Sequence, residues 1–231
     1  MLINVIATGS AGNLYEIVDN SGNSILIEAG MPRATYMKYK EGMKAPEICI
    51  VSHKHSDHYR YFNEYYSMMR AELMPETATT ENFKIMGFGV IHGDVPCKAF
   101  LIKLLTENRF IFFGTDFELR DGYPHEYSSL FQSLEFYKVD TYLIECNYND
   151  YLYHLADENE RVGCDRHLSD NDVVNFIRYA KARNPKIITI HGSNRLSADT
   201  YTKKVLSAKI ECSKVGVATG AKGGQKNLFV I

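Results

Sequence analysis

The chain has 231 residues, of which 45% are apolar and 23% charged, a composition that excludes a disordered or fibrous protein and fits one domain over 1–231. Lys and Arg number 26 against 28 Asp and Glu, so no global cationic field marks a protein that holds long nucleic acid by its phosphates. The five cysteines are far apart and form no C-x-x-C pair; there is no basic leader, and no apolar run approaches the ~20 residues of a membrane span, which together predict a cytoplasmic chain away from membranes.

Strand-like runs come early, at Leu2–Thr8, Leu14–Val18 and Ser24–Glu28, separated by Gly9-Ser10-Ala11-Gly12-Asn13 and by Asp19-Asn20-Ser21-Gly22-Asn23. The second cluster reads as a hairpin turn. Arg33–Glu41 reads as a short helix and Glu47–Ser52 as an apolar strand. Tyr59–Arg70 reads as one helix, with Phe62, Tyr65, Tyr66 and Met69 at helical spacing as a core-facing stripe. Cys97–Thr106 and Arg109–Gly114 form a hairpin candidate with Glu107-Asn108 as a two-residue turn. Ser128–Tyr137 is helical and Thr141–Glu145 a strand. Ser169–Arg183 is a helix with Ser169 as N-cap, Asp170 and Asp172 in its first turn, and Asn184-Pro185 as its stop. Lys186–Ile190 is a strand, Ser197–Ala208 a helix, and Lys214–Ala218 and Asn227–Ile231 are terminal strands. The Gly-rich Ala218–Lys226 lacks the spacing of a phosphate loop and reads as a hairpin turn. Strands early and β–α alternation later predict an α+β protein, an αββα four-layer sandwich.

One segment carries chemistry. His53-Lys54-His55-Ser56-Asp57-His58 puts three imidazoles and a carboxylate within six residues, at the end of a strand. In an extended loop His53 and His55 point the same way and can grip one metal, while Asp57 and His58 can be turned towards a second. His92, Asp116 and His191 stand at strand ends and complete the set. Site one is then His53, His55 and His92, site two is Asp57, His58 and His191, and Asp116 bridges them. Imidazoles with carboxylates suit zinc, with manganese as the alternative, so two divalent ions are expected.

This pattern, H-x-H-x-D-H followed by His92, Asp116 and His191, resembles the metallo-β-lactamase superfamily. Thr8–Asn13 with Ile27-Glu28-Ala29-Gly30 is similar to the opening motif of its ribonuclease Z-like and YycJ-like phosphodiesterase branch, with Glu28 standing where that family carries Asp. His167-Leu168-Ser169, His191-Gly192-Ser193 and Glu145-Cys146-Asn147-Tyr148 resemble later signatures of the same branch. The resemblance implies the metallo-β-lactamase fold, a homodimer, and a hydrolase with Asp57 and His167 as catalytic residues, His167 being the proton donor. Arg166, His154 and Ser193 are candidate substrate contacts, and Tyr148, Tyr151 and Tyr153 either stack on a base or cover the core.

The compact chain and its balanced charge point to small nucleotides, cyclic nucleoside monophosphates foremost, as for a phage anti-Pycsar phosphodiesterase. The alternatives are a YycJ-like or ribonuclease Z-like nuclease on single-stranded DNA or RNA, thioesterase or lactamase chemistry, and a metal-binding module without activity.

Overall fold

The computed structural model describes residues 1–119, 125–193, 195–197, 199–210, 214–218 and 227–231. The chain opens with an antiparallel meander of β1 (Leu2–Ala7), β2 (Leu14–Val18) and β3 (Ser24–Ile27). Asp19 closes the β2–β3 turn, its carboxylate accepting from the Ser21 and Asn23 amides, both at 2.8 Å. After α1 (Arg33–Tyr39), β4 (Cys49–Val51) adds parallel to β3. Next come α2 (Ser56–Tyr59), α3 (Phe62–Tyr66) and β5 (Ala71–Leu73), the last parallel to β4.

A second sheet starts with the antiparallel strands β6 (Thr77–Thr79), β7 (Phe83–Val90), β8 (Cys97–Leu104) and β9 (Arg109–Gly114). It continues in βα alternation through α4 (Ser128–Phe136), β10 (Thr141–Glu145), α5 (Asp150–Leu155), α6 (Glu158–Cys164), α7 (Asp170–Tyr179), β11 (Lys186–Ile190), α8 (Asp199–Lys209) and β12 (Lys214–Val217). Strands β9 to β12 are all parallel neighbours. The last strand, β13 (Asn227–Val230), returns to pair with β1.

Among the described residues one sheet has the order β13-β1-β2-β3-β4-β5 and the other β12-β11-β10-β9-β8-β7-β6. Their inner faces share one buried layer, with Ile3, Val5, Tyr15 and Ile17 from the first sheet against Phe100, Ile102, Phe113, Leu143 and Ile188 from the second. The outer face of the first sheet is covered by Tyr36 and Tyr65 of α1 and α3. That of the second is covered by Leu130, Leu134, Val173, Phe176 and Leu206 of α4, α7 and α8. Helix, sheet, sheet and helix make the expected αββα sandwich, because each sheet has two apolar faces to bury.

Local expectations fare unevenly. Tyr59–Arg70 is not one helix: the Tyr61 amide donates outward to the Ala29 carbonyl at 2.9 Å, which breaks the run between α2 and α3. Of its aromatic stripe Tyr65 is buried but Tyr66 is exposed. The β8–β9 turn holds four residues rather than two, since Leu104 pairs with Arg109. Ser169 does cap α7, in a reciprocal capping box with Asp172, but the helix stops at Tyr179 and Lys181 turns into the left-handed region. Helices α5 and α6 were not expected. They are too short to be stable alone and depend on packing of Ala156, Cys164 and Leu196. Residues 219–226 of the Gly-rich stretch, and Cys212, lie outside the described residues.

The ring of Phe176 meets Phe112 at 4.9 Å, Phe131 at 5.0 Å and Phe117 at 5.7 Å, so this side chain joins α7 to both the sheet and α4. Phe176→Ala is expected to cost about 3–5 kcal/mol, read as a lower midpoint in urea denaturation; a loss under about 1 kcal/mol would show that the helix is held elsewhere.

Candidate metal centre

Side chains gather at one rim because strands of both sheets end there. His53 follows β4, His92 follows β7, Asp116 follows β9 and His191 follows β11. Two of these, Asp116 (φ +53°) and His191 (φ +54°), have left-handed backbones, as does Glu28 (φ +68°) just after β3. Non-glycine residues adopt that region at a cost, which surrounding contacts must offset. Here the kink turns each side chain off the strand direction and into the rim.

Among the described residues the donor atoms fall into three overlapping sets, two of them made of the expected ligands and the third of Asp116, Glu145, His167 and His191. In the first, one atom each from His53, His55, His92 and Asp116 lie within 4.8 Å of one another; in the second, the same holds for Asp57, His58, Asp116 and His191. Asp116 belongs to both. Its Oδ2 is 3.5 Å from His53 Nε2, 3.7 Å from His92 Nε2 and 3.4 Å from His58 Nε2, while its Oδ1 is 3.4 Å from His191 Nδ1. His55 Nδ1 and His92 Nε2 are 3.2 Å apart. Asp57 Oδ2 is 3.1 Å from His58 Nε2 and 3.4 Å from His191 Nε2.

These separations test the fit to a metal. Zinc–nitrogen bonds of 2.0–2.1 Å in a tetrahedron put neighbouring donors about 3.3–3.4 Å apart, and the separations above, 3.1–3.7 Å, bracket that value. His53 Nε2 is buried without a hydrogen-bond partner and faces Asp116, as an unfilled ligand would. Burial and the neighbouring His58 push the His53 imidazole down to about 2, so it is neutral and its lone pair is available. At His58 burial opposes charge, but Asp116 and Glu28 outweigh it and hold the imidazole well above its usual range. A cation bound there takes the place of that proton.

The histidine loop is gripped by the two glycine-containing segments near the N-terminus. Asn13 Nδ2 donates to Asp57 Oδ2 at 3.1 Å and lies 3.0 Å from His58 Nε2. The Asn13 amide donates to the Asp57 carbonyl and the Ala29 amide to the His58 carbonyl, both at 2.7 Å. A Cβ on Gly30 would stand 1.6 Å from the Asp57 carbonyl oxygen, so no other residue fits. Glu28 spans the extra methylene: Oε2 accepts from the Ser52 amide at 3.3 Å and Oε1 faces His58 Nδ1 at 3.4 Å. A carboxylate behind a ligand imidazole fixes its orientation.

One residue of the site was quoted from the sequence only as the start of a signature, without a role. Glu145, fully buried at the end of β10, accepts from the amides of Asp116 (2.9 Å), Phe117 (3.2 Å) and Leu168 (2.9 Å). His167 Nδ1 donates to its Oε2 at 3.0 Å. Burial alone would lower the His167 pKa, but the Glu145 charge and hydrogen bond push it up to about 9. The signal was present: β10 runs parallel beside β9, so a charge ending its apolar run lands next to Asp116.

No family model matches the chain, and no curated protein does. Solved structures do. A metallo-β-lactamase fold protein, YhfI from Bacillus subtilis, superposes with a TM-score of 0.70 at 15% identity, covering 99% of each chain. The short form of human tRNase Z gives 0.66 at 13% identity over 100% of this chain and 99% of the other. Unliganded yeast PDE1 gives 0.66 at 10% identity over 95% and 98%.

The chain has the metallo-β-lactamase fold.

Beside the donors of this metallo-β-lactamase fold a cleft of about 580 Å³ opens, lined by Ser10, Asn147, His167, His191, Ser193 and Arg195 among others. Ser193 thus reaches the cleft, though its hydroxyl also accepts from the Arg195 and Leu196 amides, both at 3.3 Å. The Arg166 carbonyl lies 3.2 Å from His92 Nδ1, and its side chain packs beside Gly93, the residue after His92. His154 ends α5, exposed, with its ring edge-on to Tyr153 at 6.0 Å, and does not line the cleft. Tyr148 and Tyr153 pack on each other at 5.3 Å, covering the α5–α6 cluster, while Tyr151 is exposed. His125 opens a short 3-10 turn.

Because Asp116 serves both donor sets, Asp116→Ala is expected to lower metal content from about two equivalents per chain to one or none, measured by elemental analysis after gel filtration. Full retention of both would contradict the shared role.

Proposed function

We propose that this protein is a two-metal phosphodiesterase acting on small nucleotides, cyclic nucleoside monophosphates foremost. The observation that carries the reading is the pair of donor sets sharing Asp116, with His167, held by the buried Glu145, on the wall of the cleft beside them. Two divalent ions, when bound, supply an activated water and neutralise charge on phosphodiester oxygens. Zinc suits the imidazole-rich donors and manganese is the alternative.

The chain's own residues supply the rest. Glu145, fixed by three backbone amides, keeps the Nδ1 proton of His167 in place, so that Nε2 is the atom that exchanges a proton with substrate. An alkoxide leaving from a phosphodiester needs that proton. Thr8 Oγ1 accepts from the His191 amide at 2.7 Å and Asn147 Nδ2 donates to the His191 carbonyl at 2.9 Å, which hold the His191 turn at the cleft wall. Arg195 and Ser193, on the same turn, offer donors to phosphate oxygens.

Supporting a small substrate is the cleft itself, whose volume of about 580 Å³ is in the range that encloses a single drug-sized ligand. Structures of the same fold bear the names PDE1 and tRNase Z, so substrates of different size are compatible with it. The resemblance to anti-Pycsar enzymes extends the reading to removal of a cyclic pyrimidine nucleotide signal by a homodimer in a host cytoplasm.

The test is a hydrolysis panel with zinc and with manganese, comparing cyclic mononucleotides, single-stranded DNA and RNA, and a lactone. Cyclic nucleotide turnover alone supports the reading; turnover of the lactone alone overturns it. His167→Ala is expected to slow cyclic nucleotide hydrolysis roughly 10²–10⁴-fold, and Glu145→Gln to do so to a similar degree. Neither should much affect bis(p-nitrophenyl) phosphate, whose leaving group departs without a proton. Equal losses on both substrates would assign these residues to metal binding instead.

A further inference from the structure

The apolar layer between the sheets holds a phenol that the proposed chemistry does not use. Tyr15, fully buried on β2, sets its ring edge-on to Phe113 at 5.3 Å, a contact that a phenylalanine would make equally well. Its hydroxyl, however, meets polar residues from both sides of the β1–β2 connection. Thr8 is brought there by a bulge. The pairing of β1 with β2 shifts between Val5 and Ala7, so Ile6 and Ala7 both pack on the outer cluster of the first sheet, and the alternation of faces is inverted beyond them. Thr8 therefore lands on the inner side, with its Oγ1 2.9 Å from Tyr15 Oη.

Donor and acceptor chemistry forces the direction of each hydrogen bond from there. A side-chain amide oxygen only accepts, so Asn13 Oδ1 takes the phenol proton at 2.9 Å and the Gly9 amide proton, also at 2.9 Å. With its only proton engaged, Tyr15 Oη accepts that of Thr8, and Thr8 Oγ1 in turn accepts from the His191 amide at 2.7 Å. At the other end Asn13 Nδ2 donates to Asp57 Oδ2 at 3.1 Å, and the same oxygen lies 3.4 Å from His191 Nε2. The chain of bonds thus runs from the His191 amide through Thr8, Tyr15, Asn13 and Asp57 and closes on the His191 ring. It also fixes which way round the Asn13 amide sits: reversed, Oδ1 would face the Asp57 carboxylate and set two acceptors against each other. Nδ2 lies 3.0 Å from His58 Nε2 as well. Asp57, His58 and His191 all belong to the second donor set, and among the described residues these bonds reach none of His53, His55 and His92.

We propose that Tyr15 is a positioning residue for the second metal. Its hydroxyl, through Asn13 on one side and Thr8 on the other, holds Asp57 of the histidine loop and His191 of the second sheet at the spacing a cation needs. Hydrogen-bond partners behind the ligands orient them, and losing one weakens a metal site about 10–100-fold. The inference rests on the two donor sets of the proposed function and not on the identity of the substrate.

The experiment measures zinc binding to the full chain by competition with a chromophoric chelator, for wild type, Tyr15→Phe, Thr8→Val and Thr8→Ser, with urea midpoints alongside. Wild type is expected to take up about two equivalents. Tyr15→Phe and Thr8→Val are each expected to weaken one equivalent at least about tenfold and to leave the other within about twofold, while Thr8→Ser, which keeps the hydroxyl, retains both. Both equivalents unchanged in Tyr15→Phe and Thr8→Val, both weakened alike, or Thr8→Ser behaving as Thr8→Val would overturn the role and leave a buried phenol that only supports the fold. Should Tyr15→Phe fail to fold, the two Thr8 variants decide. Wild-type protein that binds fewer than two ions overturns this role and the two-metal reading together. One equivalent weakened as expected, in a protein whose wild type hydrolyses no phosphodiester, upholds the role while the proposed function fails.

Discussion

Asp116 is the group on which the rest of the structure turns. A nearly buried carboxylate meets four imidazoles at 3.4–3.7 Å and accepts from the Thr115 hydroxyl at 2.8 Å. The neighbouring positive charges hold it well below the usual carboxylate range despite burial. Concentrating so many polar groups away from water is expensive unless each has a partner. The two cations of the proposed function would give all of them partners at once.

Meeting that constraint organises the fold around one rim. Strands from both sheets must end there together, and three of them end in left-handed residues that aim a side chain inward. The histidine loop supplies four donors, so its backbone cannot drift; Asn13, Ala29 and Gly30 clamp it from the first sheet. From the second sheet, Glu145 ties together the Asp116 turn, the Leu168 amide and His167. One buried carboxylate therefore positions both Asp116 and His167, the bridging ligand and the proton donor of the proposed mechanism.

Much of this was legible along the chain and some was not. His53, His55, Asp57 and His58 lie in one short loop, where spacing alone dictates which side chains share a direction. His92, Asp116 and His191 were readable as polar residues ending apolar strands. Glu145 was legible as part of a signature but not as a site residue, because its partners Asp116 and His167 are distant in sequence and it holds other residues in place. The Tyr59–Arg70 periodicity suggested a continuous helix that the Tyr61–Ala29 hydrogen bond interrupts. Helices α5 and α6 carry no strong local signal, since six and seven residues form helices only when packed.

By itself the sequence determined the chemistry available: imidazoles and carboxylates in a ligand pattern, strands with two apolar faces, and a balance of charge near zero. Only the tertiary structure decided which donors lie together, and that Glu145 joins the Asp116 turn to His167. The reason is physical. Residue type and local spacing depend on the chain's own geometry, whereas a contact between β10 and β9, or between α7 and α8, exists only once the sheets have closed and water has been displaced from between them.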